Sequence, residues 1–379
     1  MFGSRIYLLP AAFAALVGGC SSGTPSSDEA GSGASDSSTS GAESSESSGV
    51  SEDTGAPVEV GPDTSLWAFE GEHIFFTGEE NRRQVDVEID FPDETLGYET
   101  ILLNFNLDCP NFDCDDWDRK GFVGVVNNPG TEEESVTEVL RFITPYGVGG
   151  TWQVDVSDLR PLLTGTQTLR LFIDTWVGPG HANGNGWLVN AQFDFRGGIP
   201  SPRPLAVIDL WPETVLDVGD PANTIDSQIS VADVELPEGT TGLKLRALIT
   251  GHGQGNLYNC AEFCPMNHAF LVNGQTVSRE IWRDDCVNNP VQPQGGNWQP
   301  PRAGWCPGAD VIPWVEDVSA ALNGTQVSVQ YGLQDYENSC RPDAPVCEGC
   351  ALGTSCEYDQ GNHTPPQYRF SAKLVAFGD

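Results

Sequence analysis

Ile101-Leu-Leu-Asn-Phe-Asn-Leu107 sets Ile101, Leu103, Phe105 and Leu107 on one side of an extended chain and Asn104 and Asn106 on the other. Successive side chains of a strand point to opposite faces, so this period of two predicts a strand with one buried and one wet face. The same grammar returns in Val85, Val87, Ile89 and Phe91, and in Val189, Ala191, Phe193 and Phe195. Further on it recurs in Leu243, Leu245, Ala247 and Ile249, in Val327, Val329 and Tyr331, and in Tyr368, Phe370, Ala372 and Leu374. The runs are punctuated by 43 glycines and 27 prolines, and no long stretch has helical periodicity. The expected class is all-β, with antiparallel strands arranged in sandwiches.

A weak internal repeat divides the chain. Trp152-Gln-Val-Asp-Val-Ser-Asp-Leu159 leads through Leu163-Thr-Gly-Thr-Gln167 into a strand carrying Leu169, Leu171 and Ile173. Trp314-Val-Glu-Asp-Val-Ser-Ala-Ala-Leu-Asn-Gly-Thr-Gln326 leads likewise to Val327 and Val329. Each half also runs from a strand into a small cysteine loop, Cys109-x4-Cys114 and Cys260-x3-Cys264. Two copies of one sandwich plan, joined where glycine and proline cluster between Gly197 and Pro204, give domains at 61–200 and 201–379. A cleft between such domains is where a ligand is expected to sit.

The N-terminus reads as an export signal. Arg5 precedes an apolar run from Ile6 to Val17, which is too short to cross a bilayer as a helix. Gly18 and Gly19 then precede Cys20, the expected point of lipid attachment, so residues 1–20 form a lipoprotein signal peptide. Of the eleven cysteines, ten remain besides Cys20, an even number that can pair in an oxidising compartment. Residues 21–60 are rich in Ser, Gly, Ala, Asp and Glu, with no Lys, Arg or aromatic, and read as a disordered acidic tether. Ser21 directly after Cys20 leans towards the outer membrane or cell surface of an exported bacterial lipoprotein. The formal net charge is −36, and the tether carries only eight of the 54 acids, so the folded part is strongly acidic as well. That argues against nucleic acid and against direct binding to anionic lipid. Membrane contact is expected through the Cys20 lipid only, and the chain is expected to be a monomer.

The cysteine loops carry the chemistry. Cys109-Pro-Asn-Phe-Asp-Cys114-Asp-Asp-Trp-Asp-Arg119 gathers Asp113, Asp115, Asp116 and Asp118 beside Arg119, while Cys260-Ala-Glu-Phe-Cys264 presents Glu262. A pair of carboxylates facing across a cleft is equipment for acid/base hydrolysis. Other readings are weaker. The aspartates lack the turn glycine and distal glutamate of a calcium loop, and no second Cys/His pair completes a zinc site. The five histidines are scattered, no Gly-x-Ser-x-Gly elbow is present, and neither a metal nor a cofactor is expected. A plain salt bridge between Asp118 and Arg119 is the bland alternative.

Five motifs together resemble the bacterial peptide:N-glycosidase F family. They are Cys-Pro-Asn-x-x-Cys-Asp-x-Trp-Asp-Arg at 109–119, Arg-Phe-Ile-Thr-Pro-Tyr at 141–146, Asp174-Thr-Trp176, Cys-Ala-Glu-x-Cys at 260–264, and Gly-Asn-Trp-x-Pro-x-Arg-Ala-Gly-Trp-Cys-Pro-Gly at 296–308. The resemblance implies two jelly-roll sandwiches side by side. It also implies an amidase that cleaves the bond between the innermost N-acetylglucosamine of an N-glycan and asparagine, leaving aspartate, with N-linked glycoproteins or glycopeptides as partners. By motif, Asp118 and Glu262 match the essential carboxylates, and Asp174 a third acidic position. Arg119 and Arg302 match arginines of the same cleft, and Trp176 a wall of the sugar site. Trp298, in the last motif, is expected to bind substrate as well. Cys286 and Cys306 match a family disulfide.

The departures are specific. Asp174 stands where the family has glutamate, and Gly147 and Phe263 stand where it has tryptophan, removing two indoles from the sugar site or its lid. Cys340, Cys347, Cys350 and Cys356 lie outside the family pattern and are expected to form two local bridges. These losses keep open a glycan-binding surface lipoprotein without catalysis. A copper monooxygenase on paired sandwiches is the outsider: it needs clustered histidines and a methionine, and Met266 is the only methionine after processing.

Overall fold

The computed structural model describes residues 58–218, 223–253, 261–334 and 366–378. The expected signal peptide, most of the tether, Cys20, Cys260, Cys340, Cys347, Cys350 and Cys356 lie outside the described residues. Ile101, Leu103, Phe105 and Leu107 all fall in the strand Leu96–Asp108 and are completely buried. That strand pairs with Trp187–Gly197 on one side and Gly150–Asp155 on the other, and Thr64–Phe76 follows beyond Trp187–Gly197. Facing it is a second sheet in which Lys120–Asn127 lies between Ser135–Ile143 and Gly165–Ile173, with Gln84–Phe91 outermost. Val123, Val125, Phe142, Leu169, Leu171, Phe193 and Phe195 fill the space between the two.

The second sandwich repeats the plan. Arg203–Asp217, Gln367–Gly378, Gly242–His252 and Trp314–Asp317 form one sheet, and Ala232–Glu235, Gln326–Leu333, Met266–Val272 and Gln275–Ile281 the other. Leu243, Leu245, Ile249, Phe270, Tyr331, Phe370 and Leu374 make its core. The molecule is thus two jelly-roll-type β-sandwiches packed side by side. Their strands are antiparallel apart from the two-residue pairing of Glu59–Val60 with Leu96 and Gly97.

The internal repeat is a clip. Val156 N donates to Ile101 O and Ile101 N to Ser157 Oγ, while Asp155 Oδ1 accepts from Ser157 N. In the second sandwich Val318 N donates to Leu243 O and Leu243 N to Ser319 Oγ, and Asp317 Oδ1 accepts from Ser319 N. In both, the repeated Asp-Val-Ser satisfies backbone groups at the start of the buried alternating run, on the side where pairing with the neighbouring strand begins one residue later.

One expectation from the alternation is corrected. The faces of Gly242–His252 and Gln367–Gly378 opposite their own core are not wet: Leu248, Thr250, Ser371 and Lys373 are at most 4% exposed. They are covered by the first sandwich, so four sheets stack face on face. Polar groups buried this way need partners, and they have them. Arg141, fully buried, forms an ion pair with Glu138 and donates to Arg369 O at 2.8 Å. Ser371 Oγ donates to Glu138 Oε2 and Lys373 Nζ to Glu138 O, both at 2.7 Å. Burial alone would raise the Glu138 pKa, but Arg141 and Lys120 override it and hold the carboxyl at about 2. Beside this network Ile143, Leu248, Trp305 and Val311 form a small apolar cluster. The short strand Ala309–Asp310 leaves the second half of the chain to pair with Ser135–Ile143.

Candidate active site

The stacked sheets leave a cavity of about 850 Å³ between the sandwiches, with Asp118, Arg119, Tyr146 and Asp174 from the first sandwich and His252, Glu262 and Trp305 from the second in its wall. The loop that delivers Asp118 has one short 3-10 turn, Pro110–Phe112, and no strand ladder. Cys109 and Cys114 are disulfide-bonded, with Cα atoms 4.4 Å apart. Asn111 and Phe112 between them take left-handed φ values of 53° and 64°. Asn185 clamps the loop by donating its N–H to Asp113 O and its side-chain amide to Asp113 Oδ2, both at 2.9 Å. A Cβ on Gly184 would overlap the Cys114 carbonyl, so only glycine permits this approach.

The aspartates divide their work. Asp115 is fully buried and accepts from Trp117 N at 3.0 Å, Arg119 Nε at 2.8 Å and Thr175 Oγ1 at 2.7 Å. Arg119 therefore pairs with Asp115, not with Asp118, and the bland salt-bridge reading does not describe this loop. Asp118 is left facing the cavity. Burial raises its pKa; the Tyr146 hydroxyl and the charges of Arg302 and Arg119 offset part of that.

Glu262 enters from the second sandwich. Arg302 Nε donates to its Oε1 at 3.2 Å and Gly253 N to its Oε2 at 3.3 Å. Burial raises its pKa, Arg302 opposes, and the charge of Asp118 raises it further. Asp118 thus acts on Glu262, and Arg302 acts on both. Arg302 itself is 2% exposed and absent from the cavity wall; its guanidinium lies 4.8 Å from the Trp305 ring and 5.3 Å from that of Phe263.

The remaining site residues are spread more widely. Asp174 lines the cavity and pairs with Arg83 Nη1 at 3.3 Å. Trp176 is half exposed, outside the cavity wall, with the Arg83 guanidinium 4.2 Å from its ring. Trp298 is buried, 7% exposed, and is not among the cavity-lining residues. Gly147, at φ 69°, holds a backbone conformation that a tryptophan would strain. Cys286 and Cys306 form a disulfide, and Cys264 is disulfide-bonded too.

Two groups carried no assigned role in the sequence reading. Tyr146 lies against Asp118, and burial followed by that carboxylate's charge raises its pKa, keeping the phenol a donor. His252 stacks on Trp305 with ring centroids 5.3 Å apart and contacts Thr250 Oγ1 through Nε2 at 2.9 Å. Burial lowers its pKa to about 3, so it stands neutral. Tyr146 closes a motif that the sequence displays; His252 has no motif, only proximity that folding creates.

A paired-sandwich fold with two desolvated carboxyls lining one cavity between the domains defines the class of the site without naming a substrate. The relatives narrow it. Residues 99–185 and 221–347 match the family models described as the N-terminal and C-terminal parts of peptide-N-glycosidase F. The peptide-N(4)-(N-acetyl-beta-D-glucosaminyl)asparagine amidase F of Elizabethkingia miricola is 31% identical over 263 residues, which cover 66% of this chain and 72% of that one. The solved structure of PNGase F, described as a glycosylasparaginase from Flavobacterium meningosepticum, superposes with a TM-score of 0.68 at 26% identity, covering 84% of this chain and 96% of that one. PNGF-II shares the fold at a TM-score of 0.59 and 16% identity, over 83% of this chain and 65% of that one. The chain belongs to the peptide-N-glycosidase F family.

Proposed function

We propose that the chain hydrolyses the amide between asparagine and the innermost N-acetylglucosamine of N-linked glycoproteins or glycopeptides. The observation that carries the reading is the pair Asp118 and Glu262, two carboxyls lining one cleft whose pKa values are both raised by burial, with the charge of Asp118 raising Glu262 further. A like charge and desolvation both disfavour ionisation of Glu262, so one of the two carboxyls can stay protonated while the other is charged. In the active form one carboxylate takes a proton from water as it attacks the side-chain carbonyl. The other, still protonated, gives its proton to the departing glycosyl nitrogen. Water supplies the oxygen of the new aspartate, and the glycan leaves as a glycosylamine. Arg302 holds Glu262 in place, the Tyr146 hydroxyl does the same for Asp118, and Asp174, braced by Arg83, offers a further acceptor at the cavity wall.

The test is incubation with a denatured N-glycoprotein in heavy-oxygen water, read by mass spectrometry. The expected result is asparagine converted to labelled aspartate at the glycosylation site, and loss of that conversion in Asp118→Asn. Full activity in Asp118→Asn would refute the assignment; glycan binding without conversion would make the chain a binding module. We further propose that the protein acts from a membrane, tethered through a lipid on Cys20. Cys20→Ser would then release it into the soluble fraction, and an unchanged distribution would refute the anchor.

A further inference from the structure

The cavity uses only one of the first sandwich's two outer faces. Phe122 and Phe172 line it from the sheet of Lys120–Asn127, with Glu213 and Arg369 brought in by the second sandwich. On the other sheet Leu103, Phe105 and Phe193 point into the core shared with Val123, Val125 and Leu171. Their neighbours along the strands, Asn104, Asn106 and Gln192, therefore point outward on the opposite side. The thickness of a sandwich, about 10 Å between sheets, separates that face from the cleft.

That second face is built of amides and one indole. Trp67, Gln192, Asn104 and Gln153 stand in register across four strands, a row of roughly 14 Å at about 4.8 Å per strand. Asn190, Asn106 and Thr151 form the next row. Most of these groups are fixed. Gln153 Nε2 donates to Asn104 Oδ1 and Asn104 Nδ2 to Asp194 Oδ2, both at 2.8 Å. Asn106 Nδ2 donates to Thr151 Oγ1 at 3.0 Å and Asn190 Nδ2 to Asn106 Oδ1 at 3.1 Å. Two groups are not fixed. The Gln192 carboxamide has no hydrogen-bond partner among the described residues, and Trp67 beside it is half exposed, its indole in no ring or cation contact with them.

A free carboxamide offers both a donor and an acceptor, which is what a pair of sugar hydroxyls requires. An exposed indole offers a flat apolar surface to the C–H side of a pyranose. Neither row contains Lys or Arg, and Asp194 adjoins them, so an anionic ligand is disfavoured. Arg196, further along the same strand, is already paired with Asp63 at 3.1 Å. We infer that Trp67 and Gln192 form a second glycan-binding site on this face, separate from the cleft, which takes a neutral pyranose chain from a glycoprotein. The choice of a glycoprotein as source rests on the amidase reading; the binding itself does not. Two sites on opposite sides of one sandwich would hold a multiply glycosylated substrate through one glycan while the cleft works on another.

The experiment titrates the isotope-labelled full chain, followed by NMR, with two neutral sugars: mannopentaose, a chain of the kind found in glycoprotein antennae, and cellopentaose, a polysaccharide fragment. The indole N–H signal missing from Trp67→Ala identifies Trp67 among the ten tryptophans. We expect mannopentaose to move that signal and to bind more tightly than cellopentaose. By calorimetry Trp67→Ala should weaken mannopentaose about tenfold, as loss of an aromatic anchor does. Gln192→Ala should weaken it several-fold, and both variants should melt close to wild type. A still Trp67 signal with both sugars, or movement only at Trp305 in the cleft wall, overturns the site. Tighter binding of cellopentaose at Trp67 overturns the glycoprotein source. Binding at Trp67 in a chain that converts no asparagine keeps the site and sinks the amidase; conversion with a still Trp67 signal does the reverse.

Discussion

Gly296→Ala tests how closely the active site depends on a residue that touches no substrate. Tyr146 is fixed from below by the 294–296 loop: Tyr146 N donates to Gln294 Oε1 at 3.1 Å and Gly295 N to Tyr146 O at 3.0 Å. Gly296 lies flat against the Tyr146 ring. A Cβ built on it lies 2.7 Å from Cε1, against the 3.4 Å at which ordinary contact begins, so the ring must retreat by about 0.7 Å there and further at Cγ and Cδ1. Gly296 has an ordinary φ, so alanine adds the clash without backbone strain. Overpacking of this kind costs about 1–3 kcal/mol. Displacing a group that orients a reacting carboxyl by about an ångström costs about a hundredfold in rate. The assay is kcat/KM on a glycopeptide together with the thermal midpoint. We expect a drop of one to two orders of magnitude in kcat/KM, carried by kcat, with a midpoint only a few degrees lower. Wild-type kcat with a wild-type midpoint would show that Tyr146 neither packs as described nor serves Asp118.

Further outcomes follow from the same contacts. Glu138→Gln leaves Arg141 buried without its counter-charge and should cost about 3–5 kcal/mol in a denaturant titration. Because the folded pKa of Glu138 is depressed from 4.5 to about 2, its wild-type contribution is present above the unfolded value and lost as pH falls from about 4.5 towards about 2; the variant should lack that acid limb. Asp118 has the opposite sign. Its folded pKa is raised, so its protonated form stabilises the fold below about pH 4 and that contribution is lost as pH rises through the folded value. Asp118→Asn should therefore melt higher than wild type at neutral pH, with the gap closing in acid; a lower melt at neutral pH would contradict the burial argument. Arg302→Gln removes the cation that opposes the rise of Glu262, so the pH profile of kcat/KM should move upward along with a loss of rate; an unshifted profile would detach Arg302 from the acids.

The strands were legible because their inward residues alternate with others of different character: all of Val189, Ala191, Phe193 and Phe195 are fully buried. The second burial of Leu248, Thr250 and Lys373 was not legible, since alternation records only that residues differ, and a face covered by another domain's polar network reads like a wet one. Within the site, Asp118 and Glu262 were marked by their cysteine loops. The sequence left open whether Arg119 belonged to Asp118, because Asp115 and Asp118 both lie within reach of it along the chain. Only the burial of Asp115 against Thr175 decides the matter. Trp298 shared a motif with Arg302, yet motif membership reports a packed loop as readily as a binding surface, and this indole is packed. Glu213 and Arg369 carry no local signature at all; strands far apart in sequence bring them to one cavity.

The crossing of Ala309–Asp310 into the first sandwich's sheet has a consequence for how the halves can be handled. The Phe142–Ile143 end of that sheet edge would otherwise stand open, the feature by which sheets recruit foreign strands. A fragment ending near residue 200 would expose that edge, together with the polar face meant for Ser371 and Lys373, and would tend to aggregate instead of folding as a smaller protein. The two sandwiches share one plan but are not interchangeable modules: the second lacks a central strand, and the first lacks the partners of Glu138, until Gln367–Gly378 has been made.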